Sequence, residues 1–202
     1  MSPRLALFPG TFSPIHLGHL NLADSARIAY ELERIYFVLS PQPPNKFGQS
    51  ILPLELRKEL LEKTLRLDPA FRIELFETQN LGLSYTVETV RHLREREGVE
   101  GRIKMILGLD AFLSLPSWRG IDELNASCEY LVAPRPGWLI EEIHTVLGDM
   151  TQEMVWNFIP ALDLPISSSL IRERQKQKQA WHYLVPEVVR EHLQKSSLTG
   201  YV

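Results

Sequence analysis

The chain has 202 residues, 44% of them hydrophobic, with a formal net charge of −3 at pH 7. That length suits one domain with a sizeable core, and the slightly negative charge excludes a molecule-wide attraction to nucleic acid. The one cysteine, Cys128, excludes an internal disulfide and fits a reducing cytosol.

Cys128 itself is expected to be a small buried apolar side chain. No run reaches the roughly 18 apolar residues of a membrane span, and the first strand is expected too close to Met1 for a signal peptide. A soluble cytoplasmic protein is the expectation, with a homo-oligomer neither required nor excluded.

The apolar run Leu5–Phe8 predicts a buried strand. Phe8-Pro9-Gly10-Thr11-Phe12-Ser13-Pro14-Ile15-His16-Leu17-Gly18-His19 then gives a Gly/Pro turn and two histidines flanking a glycine. A helical pattern follows over Leu20–Leu32. A helix N-terminus after a strand and turn attracts anions through its N–H groups and dipole. His16 and His19, three apart, are expected on one face of the first helical turn. Gly18 keeps that face low enough for a phosphate chain to approach the backbone. Taken alone, a His-x-x-His pair is as well explained by surface or core histidines. Metal binding is disfavoured, because no cysteine or carboxylate stands at ligand spacing.

Further short apolar runs predict strands at Ile35–Leu39, Arg72–Phe76, Ile103–Leu107, Tyr130–Val132 and Met154–Ile159. The proline-rich stretch Ser40–Pro53, with Asn45 and Lys46, reads as a surface loop of the kind that carries binding residues. Helices are predicted over Leu54–Leu67, with Leu56, Leu60, Thr64 and Leu67 as its stripe, around Val87, Val90 and Leu93, and around Ile140, Ile143 and Leu147. Ser167–Gln179 and Pro186–Gln194 read as two closing helices, and 196–202 as a tail. Strands alternating with helices predict an α/β fold: a Rossmann-like, doubly wound parallel sheet with helices on both faces and a C-terminal helical segment. Ligands of such a sheet bind outside the C-terminal strand ends, near the switch point.

Two separated motifs carry a resemblance. Gly10-Thr11-Phe12, Pro14 and His16-Leu17-Gly18-His19 resemble the signature of the His-x-Gly-His nucleotidyltransferases. Ile166-Ser167-Ser168-Ser169-Leu170-Ile171-Arg172 resembles the second motif of the same superfamily. Its serines offer an N-cap and N–H donors, and Arg172, one turn inside, could grip a phosphate with two N–H groups. An ordinary capped surface helix is the alternative for that segment alone. Pro43-Pro44-Asn45-Lys46, Gly82-x-Ser84-Tyr85-Thr86, Gly108-Leu109-Asp110 with Trp118, Arg135-Pro136-Gly137 and Tyr183-Leu184-Val185-Pro186 are similar to segments of the nicotinate-nucleotide adenylyltransferases.

The resemblance implies a single nucleotidyltransferase domain over 1–195, with 166–195 its C-terminal helical part. It implies adenylyl transfer from ATP, with Mg²⁺, to nicotinate mononucleotide, giving deamido-NAD and pyrophosphate without a covalent enzyme intermediate. His16, His19 and Arg172 would be catalytic, and protonation of one imidazole would help. ATP would be bound by Gly10, Thr11, Phe12, Gly18, Lys46, Gly108, Asp110, Ile166, Ser168 and Ser169. The mononucleotide would be bound by Ser84, Tyr85, Thr86, Trp118 and Arg135. Trp118 reads equally as a core tryptophan, and Asp110 as a helix N-cap. No nucleic acid, membrane or protein metal ligand is expected. Pro9, Ser13, Asn45 and Ser169 depart from the usual Gly, Asp, His and Thr. Pro9 removes an N–H donor to ATP, Ser13 a negative charge beside the triphosphate and Asn45 a potential cation. A nicotinamide mononucleotide or phosphopantetheine adenylyltransferase is the neighbouring alternative. A non-catalytic nucleotide sensor is the alternative of another kind. A class I aminoacyl-tRNA synthetase is disfavoured by the chain's length and by the lack of a lysine-rich loop.

Overall fold

The structure is a computed structural model that describes residues 3–41, 51–79, 85–134 and 140–195. Among the described residues six strands form one sheet: β1 (Leu5–Gly10), β2 (Arg34–Leu39), β3 (Phe71–Glu74), β4 (Ile103–Gly108), β5 (Cys128–Ala133) and β6 (Trp156–Phe158). All pairings are parallel, in the order β3-β2-β1-β4-β5-β6. The helices among the described residues are α1 (Leu17–Ala29), α2 (Leu54–Leu65), α3 (Phe76–Gln79), α4 (Thr86–Glu97), α5 (Leu109–Leu113), α6 (Ile121–Ser127), α7 (Ile140–Leu147), α8 (Met150–Glu153), α9 (Ser168–Lys176) and α10 (Glu187–Lys195).

The apolar runs of the strands are buried on both faces because successive side chains point to opposite sides. Ala6, Phe8, Ile35, Phe37 and Leu39 join one core with Ala23 and Ala26 of α1, Leu60 and Leu61 of α2, Ile171 of α9 and Val189 of α10. Leu5, Leu7, Tyr36, Val38, Met105 and Leu107 join the other with Val87, Val90 and Leu93 of α4, Leu124 of α6 and Ile143 of α7. This is the expected doubly wound α/β sheet.

Several boundaries differ from expectation. Helix α1 begins at Leu17 rather than Leu20, because His16 serves as its N-cap, a residue type sequence rules do not favour there. It ends at Ala29, and the chain turns through Glu31 at φ 48°, so Leu32 enters the core from beyond the helix. Helix α2 stops at Leu65, leaving Leu67 84% exposed rather than on the stripe. Its buried face carries Arg57, Leu60, Leu61, Thr64 and Leu65. Strand β3 closes at Glu74, since Phe76 opens α3.

Strand order reverses beside β1. It pairs with β2 from Leu5 to Gly10 but with β4 only at Ala6 and Leu7. The C-terminal ends of β1 and β4 therefore part, which opens the crevice where ligands of such sheets sit. The Gly10 carbonyl accepts from the Ser40 N–H on the β2 side. Pro9, one residue earlier, faces β4 beyond the last paired residue, so its missing N–H breaks no ladder bond.

Candidate active site

The turn after β1 is fixed by its side chains. Phe12 adopts φ 46° and tucks its ring into the core, 5.7 Å from Phe8, 5.5 Å from Phe37 and 5.1 Å from His19, measured between ring centroids. A Cβ on Gly10 would stand 2.7 Å from the Phe12 ring, so the glycine is required by that packing. Phe12 can thus offer a ligand only its backbone.

His16 and His19 close the start of α1 reciprocally. The His19 N–H donates to His16 Nδ1, and the His16 N–H donates to His19 Nδ1, both at 3.3 Å. The rings stack with centroids 3.6 Å apart. The pair is therefore an N-cap and its third helical partner, a histidine version of the capping box, with both rings on one side of the first turn. A ring nitrogen that accepts a hydrogen bond carries no proton, so each neutral imidazole bears its hydrogen on Nε2. His16 is 5% exposed, and burial pulls its pKa from 6.5 down to about 4. His16 is therefore neutral at neutral pH and is not the imidazole whose protonation could assist.

The second motif meets this turn. Ser167 is the N-cap of α9, its hydroxyl accepting from the Leu170 N–H at 3.1 Å. The Ser168 hydroxyl donates to the Pro14 carbonyl at 2.9 Å. Arg172 donates from Nη1 to the Ser13 carbonyl at 2.6 Å and from Nη2 to Ser169 Oγ at 3.2 Å. Burial lowers the Arg172 pKa, yet a guanidinium stays charged at neutral pH. A Cβ on Gly18 would lie 3.1 Å from His16 Nδ1 and 3.4 Å from the Ile166 carbonyl. The space at Gly18 is thus already shared by an imidazole and the second motif.

Gly108 and Asp110 stand at the end of β4, beside β1. Gly108 is the N-cap of α5 and Asp110 its second residue, so Asp110 is not the cap. A separate group forms where Tyr85 caps α4 and Thr86 begins it. The Arg119 guanidinium lies 4.4 Å from the centroid of the Tyr85 ring, and a Cβ on Gly120 would touch Val87. Trp118 is half-buried against the core, its Nε1 donating to Ser114 Oγ at 3.0 Å. Lys46, Ser84 and Arg135, with Asn45, lie outside the described residues.

Two residues carry more than their sequence positions announced. The buried Ser13 hydroxyl accepts from the Leu52 N–H at 2.8 Å, so it ties the turn to the segment just before α2. Arg57 sits beneath the same turn, with Nη1 donating to the Thr11 carbonyl at 2.8 Å. A charged residue in the i, i+3, i+4 pattern of an otherwise apolar helix face is the signal that could have revealed it.

A parallel sheet of this order, with a histidine-capped helix after the first strand and a serine-capped, arginine-bearing helix folded onto it, defines a nucleotidyltransferase of the Rossmann-like class. The family described as cytidylyltransferase-like matches residues 7–174. A Moorella thermoacetica protein named "Probable nicotinate-nucleotide adenylyltransferase" is 33% identical over 199 residues, covering 96% of this chain and 91% of that one. A Treponema pallidum protein of the same name is 34% identical over 197 residues, covering 94% of this chain and 96% of its own. The chain belongs to the cytidylyltransferase-like family and, within it, to the nicotinate-nucleotide adenylyltransferases. The solved structure of Plasmodium falciparum nicotinic acid mononucleotide adenylyltransferase complexed with NaAD superposes with a TM-score of 0.75. It covers 99% of this chain and 98% of its own at 16% identity, a likeness of fold alone.

Proposed function

We propose that the protein transfers the adenylyl group of ATP to nicotinate mononucleotide, releasing pyrophosphate and forming deamido-NAD. The observation that carries this reading is the meeting of Arg172 and the histidine pair on one turn, through the Ser13 carbonyl. In the reaction, an ionised 5′-phosphate oxygen of the mononucleotide attacks the α-phosphorus of ATP in line. The bond from that phosphorus to the bridging oxygen breaks, and the electron pair leaves with pyrophosphate. The nucleophile is already ionised at neutral pH, so the protein supplies position and charge rather than a base.

His16 and His19 donate from Nε2 to the phosphate oxygens on which charge builds. Arg172 holds the departing β- and γ-phosphates, with guanidinium donors beyond the two it spends on Ser13 and Ser169. Thr11, Gly10, Gly18, the Phe12 backbone, Ile166, Ser168 and Ser169 line the triphosphate, and Gly108 and Asp110 the adenosine side. Lys46 and Arg135 add positive charge. Tyr85 and Thr86, with Ser84, present N–H groups to the nicotinate carboxylate, and Trp118 a face to its ring. Among the described residues no group of three or more His, Cys, Asp or Glu is placed to hold a metal ion. In this reading magnesium enters as part of the ATP complex, and no residue is assigned to it.

The substrates are the partners in this reading, without nucleic acid or membrane. Among the described residues no helix is long and apolar enough to cross a membrane. Residence in the cytoplasm is supported by the lone, buried Cys128. Residues 1–195 act as one domain in this reading, because Ile171, Val189 and Leu193 share a core with Phe8 and Phe37. Pyrophosphate release from ATP and Mg²⁺ over a panel of acceptors tests the proposal. The acid mononucleotide should be the preferred acceptor over nicotinamide mononucleotide and phosphopantetheine. Equal efficiency with acid and amide refutes the carboxylate assignment, and nucleotide binding without pyrophosphate from any acceptor refutes the activity.

A further inference from the structure

Arg57 is the bulkiest fully buried side chain among the described residues, at 1% exposure. Its Nε donates to the Leu52 carbonyl at 2.9 Å, Nη1 to the Thr11 and Ser40 carbonyls at 2.8 Å each, and Nη2 to the Pro41 carbonyl at 2.8 Å. Four backbone oxygens surround the cation, and no carboxylate pairs with it among the described residues. Burying a charge without a counter-charge is expensive. A methionine would fill a similar volume without the buried charge, at the cost of the four hydrogen bonds to those carbonyls. A buried cation kept unpaired beneath an anion-binding turn calls for a role in that turn.

The peptide geometry supplies one. In a trans peptide the C=O and the following N–H point in opposite directions. Drawing the Thr11 carbonyl inward turns the Phe12 N–H outward. The neighbouring carbonyls are held as well: Ser13 by Arg172 and Pro14 by Ser168. Leu52 is clasped on both sides of its backbone, its N–H by Ser13 Oγ and its C=O by Arg57. A continuous line of hydrogen bonds thus runs from Arg57 through Leu52 and Ser13 to Arg172.

We propose that Arg57 is a positioning residue for the triphosphate: it turns the Thr11–Phe12 peptide so that the Phe12 N–H meets a phosphate oxygen, and it lays an unneutralised positive charge beneath the turn. This rests on reading residues 10–19 as the ATP site. The ligand chemistry it serves is a polyphosphate, not the pyridine mononucleotide.

Calorimetric titration of MgATP and, separately, of nicotinate mononucleotide into wild type, Arg57→Met and Arg57→Lys tests it. Folding of each variant is checked by circular dichroism. Arg57→Met should weaken MgATP binding on the order of tenfold or more, the loss expected for a hydrogen-bonded charge, with mononucleotide affinity within about twofold of wild type. Arg57→Lys should bind MgATP well at neutral pH and lose affinity as pH rises through the lysine pKa, which burial lowers. Wild type should stay level at pH values below the Arg57 pKa, which burial pulls down to about 10. A folded Arg57→Met with unchanged MgATP affinity, or with both ligands weakened alike, overturns the proposal. Should Arg57→Met not fold, a pH-independent Arg57→Lys indistinguishable from wild type overturns it. A wild type that binds MgATP but forms no dinucleotide refutes the proposed function and leaves this inference standing.

Discussion

At the scale of single residues, hydrogen-bond bookkeeping decides what the histidines can do. Each spends Nδ1 on the other's backbone N–H, so each neutral ring presents Nε2–H as its donor. Burial keeps His16 neutral, with its pKa near 4. Its ring C–H resonances should titrate with a midpoint of about 4 in an NMR pH series, and a midpoint near the ordinary 6.5 contradicts the buried cap. Because the folded pKa lies below the unfolded one, stability is full above pH 6.5 and is lost as pH falls towards 4. The loss should be on the order of 3 kcal/mol. His19→Ala should retain the fold and lose on the order of 100- to 1000-fold in turnover, read by pyrophosphate release. Near-normal turnover removes His19 from the mechanism. The residue types of this site were legible in the sequence, but their use as a mutual cap was not. Histidine is an uncommon N-cap, and spacing alone does not tell which ring nitrogen meets a backbone donor.

At the scale of elements, the strand–turn–helix after β1 is set by packing as much as by its motif. The Gly10 position is closed by the Phe12 ring, and that ring in turn supports His19 edge-on. Gly10→Ala forces a methyl group to within 2.7 Å of a buried aromatic ring. It should cost roughly 1–3 kcal/mol, seen as a shift in the denaturation midpoint. An unchanged midpoint shows that the ring moves freely and the turn is less constrained than described. Of the expected α2 stripe, Leu60 and Thr64 are buried and Leu56 packs at the edge of the core, whereas Leu67 is exposed and the buried face also takes in Arg57, Leu61 and Leu65. Apolar counting missed Arg57 because a charged residue occupies a core-facing position, satisfied by the Leu52 carbonyl nearby and by the Thr11, Ser40 and Pro41 carbonyls further off in sequence. The second motif was legible as a serine-capped helix. Its anchorage on Ser13 and Pro14 crosses more than 150 residues, beyond the reach of local pattern.

At the scale of the whole molecule, alternation of apolar strands and helices made the parallel sheet readable, and the two-faced burial of β1, β2, β4 and β5 follows from it. The order β3-β2-β1-β4-β5-β6 places the reversal beside β1, so the histidine turn and the end of β4 border one crevice. One core reaches the histidine turn: Phe37, fully buried, packs 5.4 Å from Phe8, 5.5 Å from Phe12 and 5.4 Å from Phe71. Phe37→Ala should cost about 3–5 kcal/mol and lower Tm by about 10 °C or more, and it should weaken ATP binding through Phe12. Undiminished ATP affinity in that variant separates the core from the site. What joins the two ends of the chain is their common target. In a double-mutant cycle, kcat with ATP and nicotinate mononucleotide is measured for His19→Ala, Arg172→Ala and the pair. If both side chains grip one triphosphate, the double variant loses far less than the product of the two single losses. Losses that simply multiply would mean that the imidazole and the guanidinium act on separate events, and the shared triphosphate site would have to be abandoned.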